Sequence, residues 1–468
     1  MRYGPSTSRF MICRSPPSAS LAQSMLLPAM ARTADHREDF EARNRRTDGR
    51  GMHAQRRAEM RTRGARRFRE QKWLLDSVVS TIGLDWDLLR MATVTAPIGF
   101  EGMGDWAIVA GKAKRFDDIS PSFEEVAAGR EARAHEAEQQ GNEVTARECY
   151  LVASIYYGVA QWPIDEINER NLTLNARKLD CYARYAMRAH HKIERVEITM
   201  GQHILPGWLH FPVAGQPPHP LVIMLPGMDT FKEKLVWGYG DKMLERGFAA
   251  LAIDGPGQSE PLMHGLRVTA DNFADAGRAC IAWIDTRKDL DQDRIGVFGR
   301  SFGSYAATVL SSAIADRLRG VVVGLPCFEP GFTKIFEEAS PTYKNRFMFM
   351  AGYEDETEFD EFIQGFDLRT RVSNLRCPFM VLGGELDELA PIKHVFETCK
   401  KVPGPVDIVV YQNERHAPGR LPSSQLGPHW YAMMADWLAA RVRDRVPIEG
   451  ARYRYVAASG KVEQRSMP

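Results

Sequence analysis

Ser301 lies in Gly299-Arg300-Ser301-Phe302-Gly303, a G-x-S-x-G pattern between the apolar run Ile295–Phe298 and the helix-like run Ser304–Leu310. A serine at a sharp strand-to-helix turn is a candidate nucleophile. Its backbone is strained there, and neighbours without a Cβ let strand and helix approach closely. The hydroxyl is lifted off the sheet edge, where a histidine can reach it. The plainer alternative is a glycine-rich turn carrying a solvated serine.

Such a hydroxyl needs a base and a group that orients the base. Pro378–Gly384 is an apolar run that ends in Glu385-Leu386-Asp387-Glu388-Leu389-Ala390-Pro391. Asp387 stands where the chain turns, so it is the favoured acid, with Glu385 and Glu388 as fallbacks. Its alternative role is a helix N-cap. Val406–Tyr411 leads into a loop that carries His416, the candidate base. The spacings of 86 and 29 residues leave room for an inserted segment and then a helix–strand pair.

An oxyanion hole needs backbone N–H groups aimed at the developing charge. Phe302 supplies one, at a helix N-terminus where the dipole helps. The second is expected after Leu221–Leu225, in Pro226-Gly227-Met228-Asp229. Pro226 has no N–H to give, so Met228 is the candidate donor. An ordinary turn capped by Asp229 or Thr230 is the alternative.

The elements that must position these groups follow from periodicity. From Trp73 to about His191 the pattern is helical, most clearly in Ser122–Gln140 and Glu143–Trp162, split by Gly141-Asn142. In the second, Ala146, Tyr150, Ala153, Tyr157 and Ala160 fall on one face. After Ile193 the period changes. Val196–Met200 and Leu205–Phe211 alternate as an antiparallel hairpin. Leu221–Leu225, Ala249–Ile253, Ile295–Phe298, Gly320–Val323, Phe379–Leu382 and Val406–Tyr411 then alternate with helices. Short apolar strands separated by helices predict an α/β fold, a mostly parallel sheet covered on both faces. Ligands bind such sheets at the carboxyl ends of the strands, where every candidate group lies.

The 468 residues are 44% hydrophobic and 26% charged with net charge +1, enough for a large core and with no global signal for nucleic acid. No apolar stretch approaches a membrane span. No metal-ligand set is legible. Seven cysteines without C-x-x-C fit a reducing cytosol. Residues 1–72 hold sixteen Arg and one Lys against seven acids. Met1–Ala34, without an acid, resembles an organellar transit peptide, and the run Arg43–Arg69 could bind an acidic partner. The favoured reading is a disordered extension, or a start at Met30, Met52 or Met60, because nothing there could bury a core. The expected division is therefore 1–72 extension, 73–190 helical domain, 191–445 sheet domain with an insertion at 327–366, and 446–468 C-terminal tail.

The set PGMDTFKE, AIDGPGQSE (Ala252–Glu260), GRSFG, GELDELAP and NERHAPG resembles the α/β-hydrolase group of 2,6-dihydroxypseudooxynicotine hydrolase and the FrsA-type esterases. Fungal polyketide-shortening hydrolases are similar. The resemblance covers about Trp73 to Ala440. It implies an α/β-hydrolase fold, the chain order Ser301, Asp387, His416 as a triad, and a helical cap over the pocket. It also implies a cofactor-free, often dimeric enzyme. Proline stands where the group often has the first glycine of the oxyanion loop, and Ser304 replaces a glycine common after the nucleophile motif.

The expected reaction is hydrolysis of a carbon–carbon bond in a β-diketone-like or acyl-phenol substrate, or of an ester. A simple carboxylesterase and a non-catalytic binding protein on the same scaffold are the alternatives. Asp229, Glu233 and Tyr157 are candidate substrate contacts, although for Tyr157 helix packing is the readier explanation. Phe332, Phe336, Phe347, Met348, Phe349 and Met350 in the insertion point to a small apolar or aromatic substrate or to a dimer surface.

Overall fold

The computed structural model describes residues 64–87, 94, 98–239 and 241–468. The transit-peptide reading of Met1–Ala34, the alternative starts and most of the arginine run lie outside the described residues.

Helices α1 (Arg66–Ile82), α2 (Phe100–Lys112), α3 (Ile119–Gln139), α4 (Glu143–Ala160) and α5 (Glu169–Arg188) precede the sheet. Gly141, at φ 76°, breaks the chain between α3 and α4. The spacing of small residues and tyrosines predicted one buried face for α4. In fact every residue from Cys149 to Ala160 is buried, so α4 is the central helix of its bundle. Helix α1 begins at Arg66, before the expected start of order at Trp73. Tertiary contacts hold that turn. Arg67 donates to the Phe336 and Ala339 carbonyls at 2.7 and 2.9 Å, and the Phe68 ring meets Phe116 edge-on.

The sheet strands are β1 (Ile193–Met200), β2 (His203–His210), β3 (His219–Leu225), β4 (Ala249–Ile253), β5 (Leu290–Arg300), β6 (Leu318–Gly324), β7 (Phe379–Gly384), β8 (Val406–Tyr411), β9 (Ala451–Val456) and β10 (Val462–Arg465). Their order is β1-β2-β4-β3-β5-β6-β7-β8-β9-β10. Pairing is parallel from β4 to β9 and antiparallel at both edges. Alternation splits each central strand between two cores. Leu221, Ile223 and Leu225 enter one, while Val222 and Met224 enter the other. Helices α6 (Asn272–Ile284) and α7 (Phe302–Ala313) cover the first face, and α8 (Trp430–Leu438) covers the second.

Residues 446–468 are not a tail. Strand β9 extends the sheet beside β8, and β10 folds back on it. Arg454 grips Asp407 with two hydrogen bonds of 2.9 and 2.8 Å. Both strands are largely open to water and carry charged residues, which hid them from a search for apolar runs.

The helical region meets the sheet region through a buried charge cluster. Lys232 Nζ lies 2.7, 3.1 and 2.6 Å from Glu233, Asp254 and Glu260. Lys178, on α5, donates to Ser259 Oγ at 2.6 Å. Burial pulls Lys232 down, but Asp254, Glu233 and Glu260 outweigh it and hold the ammonium above its ordinary range. The aromatic insertion (Thr333–Glu337, Thr342–Ala351 and Glu356–Phe362) packs over α7.

Candidate active site

Ser301 leaves β5 with φ 54° and ψ −129°, the strained turn that its sequence context requires. Its N–H donates to the Gly324 carbonyl at 3.0 Å. Both motif glycines are dictated by contact. A Cβ on Gly299 would meet the Gly303 carbonyl oxygen at 2.1 Å, and one on Gly303 would meet that of Pro226 at 2.5 Å. Ser304 is not a passive replacement. Its hydroxyl accepts from Cys327 N–H at 2.8 Å and fixes the chain that leaves β6.

His416 Nε2 lies 3.0 Å from Ser301 Oγ, and its Nδ1 lies 2.9 Å from Asp387 Oδ2. The other oxygen, Oδ1, accepts from Leu389 and Ala390 N–H, both at 2.9 Å. Asp387 is not the helix N-cap that sequence offered as its alternative, because these two N–H groups belong to a loop turn and the next helix begins only at Lys393, after Ile392. The two competing acids serve the same loop. Glu388 accepts from His416 N–H at 2.9 Å. Glu385 accepts from Asn413 N–H at 2.9 Å and Tyr455 OH at 3.0 Å.

Sequence reasoning missed the supports of this array. Buried Glu414 gathers the loop after His416, accepting from Gly419, Arg420 and Leu421 N–H at 3.1, 3.1 and 2.8 Å. Gly384 lets that loop lie on the end of β7, since a Cβ there would meet the Arg415 oxygen at 2.2 Å. Gln258 holds the loop after β3. Its Nε2 donates to the Pro226 and Gly227 carbonyls at 2.9 and 3.2 Å, and its Oε1 accepts from Gly255 N–H at 2.9 Å. Gln258 thereby fixes the loop that carries Met228. Gly227 lies over Ser301, and a Cβ on it would stand 3.3 Å from Ser301 Cβ.

A cavity of about 120 Å³ opens above Ser301 and His416. Phe302, Met228 and Asp229 line it, as do Phe332, Phe336 and Phe347 from the insertion. Met348 and Met350 are instead buried in the core. Arg300 adds a guanidinium to the wall, and burial lowers its pKa to about 10, so it stays cationic at neutral pH. Cys327 Sγ lies 3.9 Å from Ser301 Oγ.

Two expected substrate contacts fall elsewhere. Tyr157 is fully buried in the helical bundle, where its hydroxyl donates to Glu131 at 2.6 Å and Arg177 covers its ring. Val159 and Trp162, further along the same segment, face the cavity. Only the helix-to-sheet docking decides which side of an all-buried helix that is. Glu233 belongs to the charge cluster and accepts from Trp208 Nε1 at 2.9 Å. Burial opposes its ionisation, but Lys232 and Lys178 outweigh burial and hold its carboxyl below the usual carboxylate range.

The FrsA-like esterase family model matches residues 124–350, just under half of the chain. A 2,6-dihydropseudooxynicotine hydrolase of Paenarthrobacter nicotinovorans is 28% identical over 64% of this chain and 77% of its own. The α/β-hydrolase gkaG of Penicillium citrinum is 30% identical over 52% of this chain, which spans 59% of that relative. The crystal structure of 2,6-dihydroxy-pseudo-oxynicotine hydrolase superposes with a TM-score of 0.65 at 24% identity, covering 76% of this chain and 97% of that one. No helix among the described residues is long and apolar enough to cross a membrane. By its fold and these matches the chain is an α/β-hydrolase, and it resembles the group of the FrsA-like esterases and 2,6-dihydropseudooxynicotine hydrolase.

Proposed function

We propose that the chain is a serine hydrolase that cleaves an ester, or an activated carbon–carbon bond of the β-diketone or acyl-phenol type, in a small apolar or aromatic substrate. The relay Asp387–His416–Ser301, with contacts of 2.9 and 3.0 Å below an aromatic cavity, carries this reading. His416 takes the Ser301 proton as the oxygen attacks the substrate carbonyl. Asp387 holds the imidazole tautomer and stabilises the imidazolium. The Phe302 and Met228 N–H groups receive the developing oxyanion. The imidazolium then returns the proton to the leaving alkoxide or carbanion. Water, activated by the same histidine, releases the acyl group from Ser301. Asp229 lines the cavity, as does Asp87, which supports reading Asp229 as a substrate contact.

The relatives named above motivate the carbon–carbon option, since one is a hydrolase of a pseudooxynicotine. Turnover of p-nitrophenyl esters and of aryl β-diketones, measured side by side, separates the two bond types. A fluorophosphonate probe should label wild type and leave Ser301→Ala unlabelled. Absence of labelling and of turnover on both substrate classes would identify a binding protein on a hydrolase scaffold.

A further inference from the structure

His190 and His191 lie between α5 and β1, at the join of the helical and sheet regions. Asp241 lies in the connection from β3 to β4, the same connection that begins with the Met228 loop. One ring nitrogen from each histidine and one Asp241 carboxylate oxygen lie within 4.8 Å of one another. Tertiary folding brings these groups together from distant parts of the chain.

The ring of His191 is committed on one side only. Its Nε2 lies 2.9 Å from His210 Nδ1, and His210 Nε2 lies 3.2 Å from the Tyr182 hydroxyl. The His191 and His210 rings stack with centroids 5.2 Å apart. His191 is 6% exposed, yet its Nδ1 has no hydrogen-bond partner among the described residues. An unpaired buried polar atom costs about 1–3 kcal/mol, so its presence asks for a reason.

We propose that His190, His191 and Asp241 bind one divalent first-row transition ion, of which zinc best suits two imidazoles and a carboxylate. The ion accepts the His191 Nδ1 lone pair. That choice puts the His191 proton on Nε2, which donates to His210 Nδ1. His210 Nε2–H then donates to the Tyr182 oxygen. A hydrogen bond on the second nitrogen fixes the tautomer and ring orientation of a ligating histidine, and here His210 supplies the acceptor. Bonds of about 2.0–2.2 Å require the three ligand atoms to draw inward by roughly 1 Å. His190 is exposed, with its ring edge-on to that of His191 at 4.9 Å. Water completes the shell from the solvent side. The ion ties the join between helical region and sheet to the β3–β4 connection, so its role is structural and separate from Ser301.

The test uses the full chain, stripped with EDTA and titrated with zinc chloride by calorimetry and thermal melts. Wild type should bind one equivalent with a Kd of about 1 μM or below, and its Tm should rise by several degrees. His190→Ala and Asp241→Ala should each weaken binding by about tenfold or more and remove the Tm shift. His190 is on the surface, so that variant tests the site without threatening the fold. Ser301→Ala should bind as wild type, and calcium should produce no shift. The proposal is overturned if wild type shows no zinc binding at 100-fold that Kd, or if both variants bind as wild type does.

Discussion

Gly158 of α4 lies against the ring of Phe231, so closely that a Cβ would meet Phe231 Cζ at 2.2 Å. Phe231 stands three residues after Met228 and lines the cavity. Lys178 covers its ring at 5.2 Å. The helical region is thereby pressed onto the loop that carries the proposed oxyanion donor. A side chain at 158 must push that loop or open the interface. Gly158→Val is expected to cost about 1–3 kcal/mol of stability by overpacking and to lower kcat. The double variant with Phe231→Ala should recover part of both, as chemical denaturation and steady-state kinetics would reveal. A silent Gly158→Val would contradict this coupling.

Ser301→Ala should reduce turnover by about three orders of magnitude or more with the fold intact. Adding His416→Ala or Asp387→Asn should cost little further, because residues that act as one unit are not additive. Glu385→Gln should reduce turnover far less than Asp387→Asn, since Glu385 bonds Asn413 and Tyr455 rather than the imidazole. The reverse ranking would move the acid assignment to Glu385.

Gln258 should act as a positioning residue. Gln258→Leu leaves the Pro226 and Gly227 carbonyls without their side-chain donor. A stability loss of about 1–3 kcal/mol is expected from that. The larger effect should fall on kcat with KM nearly unchanged, because the loop carries the proposed oxyanion donor, whose bond strengthens in the transition state. A change confined to KM would argue against this role.

Trp162 and Tyr157 should separate cavity wall from bundle packing. Trp162→Ala should change selectivity between small and bulky acyl esters. Tyr157→Phe loses one hydrogen bond to Glu131, worth about 1 kcal/mol, and should leave selectivity as it is. Equal selectivity changes in both variants would undo the distinction.

The charge cluster offers a stability test independent of catalysis. Lys232→Met leaves Glu233, Asp254 and Glu260 without their shared cation. Breaking a buried pair in this way costs about 3–5 kcal/mol. Urea denaturation that shows less than about 1 kcal/mol would mean the cluster takes up solvent.

Local rules carried much of this protein. Strand and helix periods depend on neighbours along the chain, so β1 to β8 and the pair α3 and α4 could be read from residue spacing. The nucleophile context of Ser301 is also local. So are the positions of Asp387 and His416 at strand ends, where a parallel sheet places its ligands. Tertiary structure decided what depends on groups distant in sequence. The β9–β10 hairpin is rich in charged residues, and it is held by pairing of β9 with β8, by buried Tyr455 and Val456, and by Arg454 on Asp407. The first turn of α1 is held by carbonyls some 270 residues away. Tyr157 and Trp162 are both large and aromatic, and only the docking of α4 and the turn after it puts one in the bundle and the other on the cavity wall. Glu233 looked like a pocket acid because a carboxylate near an oxyanion loop has no local signature of burial. Its partners Lys178 and Trp208 come from a different helix and strand. Periodicity reports which face of an element is apolar, whereas the partner that covers each face is set by packing across the whole chain.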